Sequence, residues 1–371
     1  MTPATKRIDV LGLTRAELIE RAGARLLRGA GLAAGVHADA HAHARFDPAR
    51  LGASPAVCAA WASEFEIAGL THVATRGTPD DDAQKAVFAT ADRLEIETVR
   101  IDLGRGRTAQ CLSSQVGCAM ACRFCETGLL GRLRNLRAAE IVAQVVYARA
   151  RLRWRPSSLV FQGMGEPFDN FDQVMQSIDV LCDGSAGGFG RDRITLCTAG
   201  HADGIRRLRE RGVGRVNLSL SLTIADDERR AEWMPITRRW PLAEVQDALR
   251  SVRPRDNWQL GLHVCLLPGV NDSEADARRI ADFARPLGRV MVHVIPYNPT
   301  SLALARAPTE REIVRFVERL RQVGLPVRRR ITKGRTAMAA CGQLGNRALA
   351  RGSRRPLDRR AEFPDQDSNL D

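Results

Sequence analysis

From about residue 94 the chain repeats one pattern: a short apolar run, a loop, then an amphipathic stretch of helical period. The strand candidates are 157–162 (SSLVFQ), 193–198 (RITLCT), 215–222 (RVNLSLSL), 259–267 (QLGLHVCLL), 290–295 (VMVHVI) and 327–332 (VRRRIT). Helical patterns such as AAEIVAQVVYARARLR, DNFDQVMQSIDVLCD, LAEVQDALRSVR and TEREIVRFVERLRQV lie between or before them. Strands that alternate with helices pair in parallel through right-handed crossovers. Six such units predict an α/β fold, a partial (βα)6-type barrel whose chemistry sits at the carboxyl ends of its strands.

The first 90 residues read differently, as a small helical accessory domain ahead of a core spanning 91–345. TRAELIERAGARLLRGAG opens on Thr14 with Glu17 three places on, the spacing of a capping box. AHAHARFDPARLGASP carries Pro, Gly and Ser and reads as a connector. His37, His41 and His43 have no cysteine or carboxylate at ligand spacing and read as surface histidines. Residues 346–371 are polar and interrupted by Pro, and are expected to be disordered.

Composition narrows the class. The chain has 371 residues, 44% hydrophobic and 27% charged, which suits a soluble globular protein. No apolar run approaches the roughly 18 residues that span a bilayer. The start, MTPATKRIDVLGLTRAEL, lacks a secretory h-region, so a cytoplasmic location without membrane attachment is expected. Thiols stay reduced there, and the odd count of nine cysteines speaks for metal or catalysis over a disulfide framework. The net charge of +13 is rich in Arg, with Arg328, Arg329, Arg330, Lys333 and Arg335 near one another. Such a run suits a phosphate backbone, and equally a solvated surface.

Cys118, Cys122 and Cys125 form C-x3-C-x2-C, with the small residues Gly117, Ala119 and Ala121 around them. Thiolates ligate iron–sulfur clusters, and a four-iron cluster has four corners. Three cysteines leave one iron open, as catalytic metal sites keep a position for substrate. A zinc ribbon would need a second C-x2-C knuckle, which is missing.

This triad, with Phe124 before its last cysteine, resembles the radical S-adenosylmethionine superfamily. CLSSQVGC, RNLRAAEIVAQV, FQGMGEPFDN, MPIT, VIPYNP and AACGQL then follow in one order over about 95–345. Together they resemble the RlmN/Cfr family of RNA adenine methyltransferases. The resemblance implies one [4Fe-4S] cluster per subunit on Cys118, Cys122 and Cys125, with S-adenosylmethionine on the open iron. It also implies cofactor contacts at Gly165, Glu166, Cys197, Ser221, Leu222, Thr223 and Asn298, and a proton acceptor at Glu97. The implied substrate is an adenine of 23S rRNA, methylated at C2 or C8, and for some members tRNA. A flavodoxin-type electron donor and a monomeric enzyme complete the expectation.

The resemblance gives roles to two remaining thiols. An adenine ring carbon is not nucleophilic, so direct polar transfer from a sulfonium fails and a radical route with a covalent intermediate is reasonable. By the family's mechanism, Cys341 takes a methyl from one S-adenosylmethionine. The deoxyadenosyl radical from a second removes a hydrogen from that methyl, and the carbon radical adds to adenine. Cys111 then attacks the Cys341 sulfur, leaving a transient disulfide. Three positions depart from the pattern: Cys197 stands for the usual Ser, Thr223 for His and Glu126 for Ser. Two other readings stay open: another radical enzyme of the superfamily, such as a glycyl-radical activase, and a non-catalytic RNA-binding protein with a structural cluster.

Overall fold

The computed structural model describes residues 7–26, 29–212, 214–252, 258–302, 304–334 and 337–345. The expected disordered tail at 346–371 lies outside the described residues.

Ten strands form one large sheet. Four are antiparallel: β1 (Thr71–Arg76), β2 (Ala83–Ala89), β3 (Glu95–Gly104) and β4 (Arg107–Cys111). Six continue in parallel from β4: β5 (Ser158–Phe161), β6 (Ile194–Thr198), β7 (Asn217–Ser221), β8 (Leu260–Leu266), β9 (Val290–Pro296) and β10 (Val327–Arg329). Spatial order follows chain order throughout, so every crossover joins neighbours. The edges are β1 and β10, which do not pair among the described residues, so the sheet is open and parallel-rich.

Apolar residues alternate with polar or small ones along the central strands, as in NLSLS of β7, so one face of the sheet is apolar and packs on helices. Phe161, Leu196, Leu220, Leu262 and Val292 are all essentially buried. Crossover helices supply the outer cover, including Glu274–Ala284 and Glu310–Gln322. The helix Glu310–Gln322 starts on a capping box of Thr309 and Glu312 and buries Ile313, Phe316, Val317 and Leu320. Among the described residues no helix is long and apolar enough to cross a membrane.

At the amino end α1 (Arg15–Arg25), α2 (Gly29–His43) and α3 (Pro55–Glu64) form a helical layer, and the Thr14–Glu17 capping box is present. The layer shares one core with the sheet: Leu11, Leu18, Val36 and Trp61 join Ile141, Val145 and Ile178. The helical part expected over 1–90 stops at Glu64, and β1 and β2 follow within the large sheet. β2 hides this because Gln84 and Lys85 are buried with their apolar neighbours, which removes the alternation of a half-exposed strand. The histidines are also corrected. His43 is exposed, but His37 and His41 are buried within α2. The carbonyls of Leu13 and His37 accept from the His37 and His41 rings at 2.9 Å, and the other His37 nitrogen meets Ser185 Oγ at 3.0 Å, so His37 leaves water with both nitrogens paired while His41 keeps one partner.

Candidate active site

The carboxyl ends of β5 to β9 open onto a cavity whose empty space, counted to its mouth, is about 870 Å³. One wall is the loop of Cys118, Cys122 and Cys125, and another carries Cys341 and Gly342.

The cysteine loop follows a short strand (Gln115–Gly117) paired with Arg132–Asn135. Cys118 N donates to Gly131 O at 2.9 Å, and Cys125 N to Cys122 O at 3.2 Å. Gly117 holds φ +75°, and a Cβ there would lie 1.8 Å from Gly131 O. Both the dihedral and the space require glycine. Gly117→Ala should therefore cost at least about 2 kcal/mol, read as a thermal midpoint lowered by several degrees; an unchanged midpoint would contradict the strained turn.

Burial raises all three thiols, Cys122 to about 12, and each is raised further by a neighbouring cysteine or acid. They would stay protonated on their own, so a metal must supply the charge that makes them thiolates. Among the described residues no three His, Cys, Asp or Glu side chains are gathered closely enough for a single ion. Three thiols spread over one wall suit the corners of a cluster, which has breadth of its own. One cation is already present. Arg230, fully buried, lowers the Cys122 thiol and donates to the carbonyls of Leu222, Ala199 and Ser221 and to Thr237 Oγ1.

The Gly163–Pro167 turn leaves β5 against the backbone of the cysteine segment. A Cβ on Gly163 would lie 2.6 Å from Leu112 O, and one on Gly165 2.6 Å from the Gln115 Cβ. Glu166 N donates to Gln115 Oε1, while its carboxylate accepts from Ala199 N at 2.8 Å and Phe168 N at 3.2 Å. Burial outweighs these donors and raises its pKa to about 7. Cys197, Ser221 and Thr223 also line the cavity. The Cys197 thiol donates to Gln162 Oε1 at 3.5 Å, and Thr223 sits at φ +54°. Leu222 lies in the apolar core and does not line the cavity, and its carbonyl accepts from Arg230 Nε at 3.0 Å.

Asn298 and Glu97 do not line the cavity. Asn298 Nδ2 donates to Cys341 O at 3.2 Å. Glu97 is buried beside Lys85, with Oε1 3.2 Å from Nζ, and its Oε2 accepts from Gly345 N at 3.0 Å. Burial raises its carboxyl and the Lys85 ammonium opposes that rise. Cys341 is enclosed by protein yet has exposed surface, because that surface is the cavity wall. Cys111, at the end of β4, is buried with Met164, Ala339 and Leu344 directly under the Cys341 segment. Burial raises its thiol, and so does Cys341 nearby. All nine cysteines are free thiols, so no Cys111–Cys341 disulfide is present.

A family description, "Radical SAM superfamily", matches residues 112–280. The chain is 38% identical over 304 residues to "Probable dual-specificity RNA methyltransferase RlmN 1" of Protochlamydia amoebophila, covering 81% of this chain and 84% of that protein. It is 36% identical over 300 residues to "Dual-specificity RNA methyltransferase RlmN" of Syntrophotalea carbinolica, covering 81% and 79%. The chain belongs to the RlmN/Cfr family of radical S-adenosylmethionine enzymes. A solved radical SAM methyltransferase from Sphaerobacter thermophilus superposes with a TM-score of 0.83 at 36% identity, covering 91% of this chain and 99% of that one. As a family member it is an S-adenosylmethionine-dependent methyltransferase.

Several cavity residues escaped the sequence. Arg230 shares a DERR run with Arg229, and nothing in the run tells which is buried. Gln162, His263 and Cys265 line the cavity from strand ends. Gln162 was reachable, since a polar residue closing an apolar strand before a glycine turn marks the functional rim.

Proposed function

We propose that this RlmN/Cfr member methylates an adenine carbon, C2 or C8, of 23S rRNA and of tRNA, using Cys341 as the methyl carrier. The observation that carries this reading is the placement of Cys341 on the same cavity wall system as the cysteine triad, with Cys111 buried beneath it. Cys118, Cys122 and Cys125 would hold a [4Fe-4S] cluster. Gly165, Glu166, Cys197, Ser221, Thr223 and the backbone at Leu222 would bind S-adenosylmethionine, and Asn298 would contribute where it meets the Cys341 backbone. Bound there, cluster and cofactor supply one-electron chemistry that polar side chains cannot.

The protein's own residues do the rest. Gly163 and Gly165 let the turn at the cavity rim lie directly against Leu112 and Gln115 of the cysteine segment. Glu166 takes an ionised form above about pH 7, suited to an ammonium group. Met120, Phe124 and Met234 give the cavity apolar walls that limit water. A flavodoxin-type donor would provide electrons to a cytoplasmic, monomeric enzyme.

The charge of +13 supports an RNA substrate. Binding to RNA should then weaken about a thousandfold between about 50 and 200 mM salt if six or more phosphates are neutralised. A flat response in filter-binding titrations would favour a small molecule or protein substrate. The reading itself is tested by mass spectrometry of rRNA and tRNA from a deletion strain, which should lack one methyladenosine present in the parent.

A further inference from the structure

The segment carrying Cys341 leaves the sheet after β10 and crosses to the antiparallel strands. Lys333 Nζ donates to Asp102 O at 2.5 Å and Gly334 N to Asp82 Oδ1 at 3.1 Å. Further on, Lys85 Nζ donates to Met338 O at 2.9 Å, and Gly345 N to Glu97 Oε2 at 3.0 Å. Lys85 lies opposite Val99 in the β2–β3 ladder and Glu97 opposite Val87, so the two are diagonal neighbours on one face. Their side chains are 0% and 4% exposed.

A buried ion pair rarely stabilises a fold more than apolar residues of the same volume would. What it offers is direction, and here both charges also hold backbone of the same short segment. We infer that Lys85 and Glu97 form a clamp that positions Cys341. Lys85 fixes the carbonyl of Met338 before it, and Glu97 fixes the N–H of Gly345 after it. Between them Ala339 and Leu344 bury against Cys111, and the carbonyls of Gly342 and Leu344 accept from Glu126 N at 2.7 Å and Thr127 Oγ1 at 2.6 Å, so the clamp closes the two ends of a segment already held from one side. Glu97 is thus a positioning residue, whereas the family resemblance makes it a proton acceptor. The consequence for methyl transfer rests on the reading of Cys341 as carrier, but the clamp itself does not.

The test uses full-length protein and measures iodoacetamide labelling of Cys341 by peptide mass spectrometry, with Cys58 on α3 as internal reference. Lys85→Met leaves Glu97 without its partner and could fail to fold. Lys85→Met combined with Glu97→Met removes both charges and both hydrogen bonds to the segment, and is the deciding variant. In it, Cys341 labelling relative to Cys58 should rise at least about tenfold as the segment opens locally. Its kcat on RNA should fall about a hundredfold, with KM within about threefold, because the thiol is misplaced while the RNA surface is intact. Labelling within about twofold of wild type would overturn the clamp, as would exchange of the wild-type Gly345 amide at its unfolded rate. So would a Glu97→Gln protein that loses RNA methylation with Cys341 labelling unchanged, since Glu97 would then be the base. Released labelling in a protein whose wild type methylates no RNA would keep the clamp and remove the functional reading.

Discussion

Replacing Cys111 with Ala should leave RNA covalently attached to the enzyme through Cys341. Cys341 faces the cavity, and Cys111 sits below it in an apolar cluster that raises its thiol, so Cys111 stays protonated until an adduct needs it. In the resolving step the Cys111 sulfur bonds to the Cys341 sulfur and the bond from Cys341 sulfur to the methyl-derived carbon breaks. The electron pair leaves with the base, which takes up a proton to complete its methyl group, and the two thiols become a disulfide. An external thiol must then reduce that disulfide before another turnover. Without Cys111 the carbon–sulfur bond has no attacking partner and turnover should stop, a loss of several orders of magnitude on the scale of a missing nucleophile. Denaturing gels should show a shifted band that ribonuclease removes. Cys341→Ala should form no adduct and carry no methyl. Normal turnover by Cys111→Ala would contradict the assignment.

The second large effect is on iron. Anaerobically reconstituted protein should bind about four irons, three at thiolates and one open to the cofactor. Replacing Cys118, Cys122 or Cys125 with Ala should each abolish the brown chromophore, because each thiolate holds a separate corner. Cys182→Ala, on the helix Phe171–Cys182 and outside the cavity lining, is the control that should keep its iron. Wild-type iron content in all three triad variants would remove the cluster from this site.

Much of this was legible in the sequence for one reason: local order was enough. The six parallel strands fall within two or three residues of their expected bounds, since apolar runs between glycine and polar turns need no distant information. The cysteine triad sits on one loop, so its spacing already implied convergence. What the sequence hid depends on packing. β2 hides in an apparently helical stretch because Lys85 breaks its apolar run, and Lys85 makes sense only beside Glu97 and the Met338 carbonyl. His37 and His41 looked like surface residues because the carbonyl that accepts from His37 comes from Leu13, outside their helix. Arg230 is invisible for the same reason: its acceptors sit on the ends of β6 and β7. Glu97 is visible only through resemblance, and its positioning role rests on Lys85 and the Gly345 N–H, which no strand pattern could suggest.

The central claim is that Cys341 carries methyl from S-adenosylmethionine to an RNA adenine. The most direct measurement incubates reconstituted enzyme and dithionite with RNA and S-adenosylmethionine labelled in its methyl group, then digests protein and RNA for mass spectrometry. The account predicts labelled methyl on the Cys341 peptide and a labelled methyladenosine modified at C2 or C8, with both absent from Cys341→Ala. Formation of 5′-deoxyadenosine with neither labelled product would contradict it, and would place the chain's radical chemistry on another substrate.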